Sequence, residues 1–201
     1  MSVKVIFVGQ EGCGKTCIVN RIVYDTFSDK SKSTIIQTIN STTLTYDERS
    51  VPIQIFDLAG SEKYTNTVAN FFHNAKIAVL VFSIDNLKSF ENVDMWKNLI
   101  DKELNTKNET DSDYAFLILV GTKSDKIDER KVEKSNAQEK ARNFGCSTDY
   151  IEVSSLTGDK IKKLKDEIAK IAINCINDVV PFHDIIETGN KADTQEKKCC
   201  F

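Results

Sequence analysis

Apolar positions in this chain come in blocks, and the period changes from one block to the next. Residues 3–8, VKVIFV, form a nearly continuous run of β-formers that stops at Gly9, the pattern of a strand buried on both faces of a parallel sheet. Ile18, Val19, Ile22 and Val23 then recur at helical spacing within 15–24, and the Ser/Thr-rich residues 28–34 break the pattern. Two extended stretches, 38–46 and 51–57, flank the polar segment Asp47-Glu48-Arg49-Ser50 and predict an antiparallel hairpin. Further on, the pattern predicts a polar helix over 62–73, a strand over 77–84, an amphipathic helix over 88–104 and a strand over 115–120. A helix over 135–144, a short strand over 150–153 and a last helix over 159–176 follow.

Strand and helix alternating in this way predict an α/β fold: a single domain with a six-stranded, mostly parallel sheet, one antiparallel edge strand, and helices on both faces. Ligands in such sheets sit at the carboxyl ends of the strands. Residues 105–113 read as a polar surface loop. Beyond Pro181 the chain is polar apart from Phe182, Ile185, Ile186 and the last three residues, so the expected division is a domain over 1–177 and a flexible tail over 178–201.

Composition narrows the picture. With 201 residues and 40% hydrophobic content, one sizeable core is affordable in area, and a net charge of −3 with dispersed Lys and Arg argues against nucleic acid as a partner. No apolar run reaches the roughly 20 residues that span a bilayer, and Met1 leads into a strand rather than a signal peptide, so a cytoplasmic protein is expected. Cys13, Cys17, Cys146 and Cys175 lack metal-ligand spacing and read as reduced thiols. Asn40-Ser41-Thr42 and Asn108-Glu109-Thr110 match the glycosylation pattern only by accident on that reading.

Three stretches carry candidate chemistry. GQEGCGKT, residues 9–16, fits the phosphate-loop pattern through Gly9, Gly14, Lys15 and Thr16, after a strand and opening a helix. Backbone N–H groups and the helix dipole suit phosphate oxygens, Lys15 reaches the outer phosphates, and the Thr16 hydroxyl suits Mg²⁺. ATPases, nucleotide kinases and GTPases all use such a loop. The base is read elsewhere: in Thr122-Lys123-Ser124-Asp125 the carboxylate can accept from N1–H and the 2-amino group of guanine, and the Lys123 stem can pack along the ring. Ser154-Ser155-Leu156 can give a backbone N–H to the guanine carbonyl.

GQEGCGKT, Thr34, DLAGSE at 57–62, TKSD at 122–125 and SSL at 154–156 together resemble the nucleotide-binding motifs of the Ras-superfamily small GTPases, over about residues 2–177. The resemblance implies GTP and GDP as ligands with Mg²⁺. It implies contacts from Glu11, Gly12, Cys13, Gly14, Lys15, Thr16 and Cys17 in the phosphate loop, and from Thr122, Lys123, Asp125, Ser154, Ser155 and Leu156 around the base. Phe27 would stack on the base, Thr16 and Thr34 would ligate Mg²⁺, Asp57 would hold it through water, and the Gly60 N–H would sense the γ-phosphate.

Within the superfamily the chain is most similar to the Rab family, through the Thr34-to-Asp57 spacing, Phe71-Phe72-His73-Asn74-Ala75 and the terminal Cys199-Cys200. It departs from that family at Ile35-Ile36-Gln37-Thr38-Ile39 and at Phe56, where a Trp is usual. Thr122-Lys123-Ser124-Asp125 and Ser89-Phe90-Glu91-Asn92-Val93 are also similar to Rho proteins, but there is no room for the extra Rho helix between Asp125 and Ser154. The ending Lys-Cys-Cys-Phe is not a C-a-a-X box. Lipid on Cys199 and Cys200 would attach the protein peripherally to an intracellular membrane. The resemblance further implies a monomer that meets an exchange factor, an activating protein, effectors and a prenylation chaperone in regulating membrane traffic.

Two positions depart from the hydrolytic pattern of the family. Ser61 stands where a Gln usually orients the attacking water, and Glu11 where a small residue is usual. A carboxylate about 4 Å from a phosphate charge costs about 4 kcal/mol at an effective dielectric of about 20, so Glu11 is expected to turn its side chain away from the ligand. Slow intrinsic hydrolysis is the expectation, with a poorly hydrolysing, constitutively loaded effector-binding module as the alternative. No catalytic residue is assigned in the chain itself.

Overall fold

The fold is built on six strands, β1 (Val3–Val8), β2 (Gln37–Tyr46), β3 (Arg49–Leu58), β4 (Ile77–Ser83), β5 (Phe116–Thr122) and β6 (Ile151–Glu152). The computed structural model describes residues 2–28, 34, 37–61, 67, 68, 70–104 and 115–177. The predicted loop over 105–113, the tail over 178–201 and most of the predicted polar helix over 62–73 lie outside them. The strands form one sheet in the order β2-β3-β1-β4-β5-β6. Only the β2–β3 pair is antiparallel, so the antiparallel edge strand is β2, as expected. Its hairpin is tighter than the sequence suggested: Tyr46 pairs with Arg49, leaving Asp47 and Glu48 as a two-residue turn with φ of 50° and 61°. Two positive φ values match the right-handed twist of the flanking strands, and Asp is one of the few side chains that adopts them readily.

Helix α1 (Lys15–Tyr24) follows β1, and α2 (Leu87–Glu91) with α3 (Val93–Leu104) follows β4. The pattern predicted one helix over 88–104, but it divides at Asn92, whose ψ of −11° tightens the turn. Asn is a weak helix former because its side chain competes for the backbone. Asn86 starts α2 by accepting the Ser89 N–H at 3.2 Å. Helices α4 (Lys134–Asn143) and α5 (Ile161–Asn177) are the last among the described residues and match the prediction within one or two residues at each end.

The sheet divides the core in two. Along β4, Ile77, Val79 and Val81 face one side, with Ile18 and Ile22 of α1 and Leu164 and Ile168 of α5. Ala78, Leu80 and Phe82 face the other, with Phe90, Val93, Trp96 and Ile100 of α2 and α3 and Ala137 and Ala141 of α4. All seven residues of β4 are buried, which is why its sequence shows no alternation. Each large apolar side chain buried this way contributes roughly 1.5–3 kcal/mol, enough in sum to fix the strands and leave their carboxyl ends as a rigid rim. Among the described residues, no helix is long and apolar enough to cross a membrane.

Candidate nucleotide site

Because β1, β3, β4, β5 and β6 run parallel, the segments that follow them converge at one edge of the sheet. A cavity of about 510 Å³ opens there, within the usual range for small-ligand sites. It is lined by Glu11, Gly12, Gly14, Lys15, Thr16 and Cys17 after β1, Phe27 and Thr34 before β2, and Gly60 after β3. Thr122, Lys123 and Asp125 after β5 and Ser155 and Leu156 after β6 close the other end. Of the residues singled out in the sequence, Cys13, Asp57 and Ser154 stand behind this wall, each buried.

The floor is the phosphate loop. Gly14, at φ 97°, caps α1 without a side-chain hydrogen bond, so the first turn of the helix presents its N–H groups unblocked. Lys15 is 5% exposed and curls back, its Nζ donating to Gly9 O at 2.8 Å and Gln10 O at 3.1 Å. Cys13 lies beneath the loop with its thiol pushed above the usual value, burial being the main cause. Glu11 is exposed, and among the described residues only its backbone N–H is engaged, donating to Gly60 O at 3.0 Å.

Beside the floor, three oxygen-bearing side chains from three elements meet. Thr16 Oγ1 donates to Asp57 Oδ2 at 2.5 Å and lies 3.1 Å from Thr34 Oγ1, which is itself 3.5 Å from Asp57 Oδ2. Asp57 is fully buried, and its Oδ1 has no partner among the described residues. Burial drives its carboxyl above the usual range, with the Thr16 hydrogen bond and the Lys15 charge only partly opposing. A buried carboxylate with an unpaired oxygen beside two hydroxyls is a hard-oxygen donor set, so these residues fit Mg²⁺.

The far end is held by bonds the sequence did not reveal. Thr122 Oγ1 donates to Cys13 O at 2.5 Å, tying the segment after β5 to the phosphate loop. Ser154 Oγ donates to Asp125 Oδ1 and accepts the Thr157 N–H at 3.1 Å, so Ser154 orients the Asp125 carboxylate from behind. Asp85, which no sequence signal marked, sits 3.4 Å from both Lys123 Nζ and Lys126 Nζ and accepts from Ser83 Oγ at 2.5 Å. Burial alone would raise its carboxyl, but the Ser83 hydrogen bond and the Lys123 charge outweigh it and hold Asp85 below the usual range. Arg130 grips Glu152 with two bonds of 2.9 Å, and Tyr150 Oη donates to the same carboxylate at 3.1 Å, fixing β6 against the segment that leads from Asp125 into α4.

A phosphate loop whose helix opens onto a hydroxyl–carboxylate cluster, with a separate carboxylate poised at the far end of one cavity, suits a nucleotide with Mg²⁺. The sequence profile described as the Ras family matches residues 4–174. The chain belongs to the Ras family. It is 31% identical to the Ras-related protein Rab-7b of Paramecium octaurelia over 98% of this chain and 96% of that protein. It is 30% identical to Rab-7a of the same organism, with the same coverage. It is therefore a Rab-like small GTPase, a family whose members bind GTP and GDP with Mg²⁺ and act as switches.

Proposed function

We propose that this Rab-like GTPase is a slowly hydrolysing GTP/GDP switch of membrane traffic, with residues 1–177 as its nucleotide domain and a lipid-bearing tail beyond. The observation that carries the site is the meeting of Thr16, Thr34 and Asp57 next to the Lys15 ammonium. In this reading the N–H groups of Gly12 and of Gly14 to Cys17, with the Lys15 ammonium, hold the phosphates, the Glu11 N–H being given to Gly60 O, and Phe27 stacks on the base. Thr122 braces the phosphate loop, Asp125 accepts from the base, Lys123 packs beside it, and Ser155 and Leu156 offer N–H groups to its carbonyl. Thr16, Thr34 and Asp57 would hold Mg²⁺, which when bound would neutralise charge on the outer phosphates.

Hydrolysis depends on a water placed in line with the outermost phosphate. Ser61 has one short hydroxyl where the family usually has a Gln, and it cannot span to that water. Glu11, exposed at the lip of the cavity, borders the path by which an activating protein would insert an arginine. An exposed carboxylate at the lip has room to turn to solvent, which the electrostatic cost of facing a phosphate would favour. Gly60, resting on Glu11, joins the segment after β3 to the phosphates, so loss of the outermost phosphate would release both 28–40 and 58–70.

Lipid on Cys199 and Cys200 would give two-chain anchoring to the cytosolic face of an intracellular membrane, with a chaperone carrying the soluble form. Exchange factor, activating protein and effectors follow from the Rab resemblance, acting on a monomer. Single-turnover GTP decay tests the hydrolytic reading. The expected intrinsic rate is below about 10⁻⁴ s⁻¹, under the roughly 3–5 × 10⁻⁴ s⁻¹ of Ras itself. Ser61→Gln is expected to raise it several-fold, whereas Glu11→Gly should act mainly on stimulation by an activating protein. A wild-type rate at or above that of Ras, unchanged in Ser61→Gln, would overturn the reading.

A further inference from the structure

Arg21 lies in the last turn of α1, where a cation ordinarily faces the final carbonyls of its own helix. Here its side chain is 19% exposed and reaches across to another part of the fold. Nε donates to Ser155 O at 2.6 Å and Nη2 to Leu156 O at 3.0 Å, while Nη1 donates to Asp25 O at 3.0 Å. One planar guanidinium thus joins two segments that line the same cavity. One carries Ser155 and Leu156, and the other leads from Asp25 to Phe27 two residues later.

The consequence follows from peptide geometry. In a trans peptide the C=O and the N–H it shares a plane with point in opposite directions, so holding Ser155 O fixes the direction of the Leu156 N–H. The next plane is held twice, at Leu156 O by Arg21 and at the Thr157 N–H by Ser154 Oγ. The N–H groups of Ser155 and Leu156 themselves have no acceptor among the described residues. A turn whose carbonyls are pinned and whose N–H groups are unspent is a ready donor site for a carbonyl ligand.

We propose that Arg21 is a positioning residue for base recognition, aligning the Leu156 N–H on the 6-oxo group of a purine nucleotide, beside the Ser155 N–H whose plane the Gly158 N–H holds at Ser154 O, and tying that turn to the approach of Phe27. The proposal rests on the reading of 154–156 as the site of the base carbonyl. Its consequence is selective: the ligand it serves is a 6-oxopurine nucleotide, and its loss penalises recognition of the oxygen at C6 more than the phosphates or the edge facing Asp125.

The test compares GDP with 6-thio-GDP, which keeps N1–H and the 2-amino group but carries a sulfur that accepts hydrogen bonds poorly. Dissociation rates are measured for wild type, Arg21→Met, which keeps most of the stem and loses every donor, and Arg21→Lys. Wild type is expected to hold GDP longer than 6-thio-GDP. Arg21→Met should release GDP about tenfold faster and lose most of that preference, with Arg21→Lys between the two. If Arg21→Met fails to fold by circular dichroism, the reduced preference of Arg21→Lys carries the test. Equal acceleration for both nucleotides would overturn the proposal and leave Arg21 a general brace of α1. A wild type without any preference would overturn the placement of the base carbonyl at 155–156, and the proposal with it.

Discussion

Gly60 accepts the Glu11 N–H at 3.0 Å through its own carbonyl, so the segment after β3 rests directly on the phosphate loop. A Cβ on Gly60 would stand 2.4 Å from Glu11 N and 2.4 Å from Lys15 Nζ, too close for either to remain in place. Gly60→Ala is therefore expected to push the segment off the loop and to weaken triphosphate binding by about tenfold, with diphosphate binding affected less. Competition of GTP against GDP on the variant measures this, and an unchanged GTP:GDP affinity ratio would contradict it.

Asp125 is poised by Ser154 at the far end of the cavity. Asp125→Ala is expected to lower GDP affinity at least about tenfold, because a charge-assisted pair of hydrogen bonds is lost and two base donors go unmatched. Ser154→Ala should give a smaller loss in the same direction, since the carboxylate stays but turns freely. Titration calorimetry with GDP decides both, and equal affinity of Asp125→Ala and wild type would remove the base assignment.

Glu152 links pH to stability. Burial alone would raise its carboxyl, but the Arg130 fork outweighs burial and holds it below the ordinary value of 4.5. A group depressed in the folded state stabilises that state fully above its unfolded pKa. The Arg130–Glu152 contribution should therefore be intact at neutral pH, shrink as the pH falls below 4.5, and vanish once the folded-state carboxyl protonates. Arg130→Met should cost roughly 2 kcal/mol at pH 7, less than a fully buried pair because the partners are partly solvated. Its deficit relative to wild type should narrow in melts at low pH. A deficit independent of pH would show that Arg130 acts through packing.

Gly121 sits under the same network. A Cβ there would lie 2.0 Å from Tyr150 Oη, inside any tolerable contact. Gly121→Ala is expected to displace the phenol from Glu152 and destabilise the fold by about 1–3 kcal/mol, as overpacking does. Combining it with Tyr150→Phe, which removes the crowded hydroxyl, should recover most of the loss in denaturant melts. Additive penalties would contradict the contact.

Cys199 and Cys200 lie outside the described residues, and their role is tested in cells. Replacing both with Ser is expected to move the protein from membrane to cytosolic fractions while leaving GDP binding intact, with single variants keeping weak, reversible association. Unchanged fractionation of the double variant would exclude lipid on these thiols as the anchor.

The amino-acid sequence by itself determined the order of strands and helices, because burial imposes period 2, period 3.6 or an unbroken apolar run on residues adjacent in the chain. It also determined the phosphate loop and the groups at 122–125 and 154–156, since each is a short stretch whose chemistry needs neighbouring residues. Where the pattern was weak the bounds slipped: Asn92 divides a helix that reads as continuous, and β3 begins at Arg49 inside the segment predicted as turn. Tertiary structure alone decided which distant groups support the site. Arg21 and Ser155 are 134 residues apart, Thr122 and Cys13 109, and Lys123 and Asp85 38. Each pair is made by strand register and by the parallel arrangement that brings the strand ends to one edge. In sequence Arg21 is an ordinary cation at the end of a helix and Asp85 an ordinary loop carboxylate; only once the sheet has formed are their partners within hydrogen-bonding distance, with the Arg21 and Asp85 side chains themselves mostly covered.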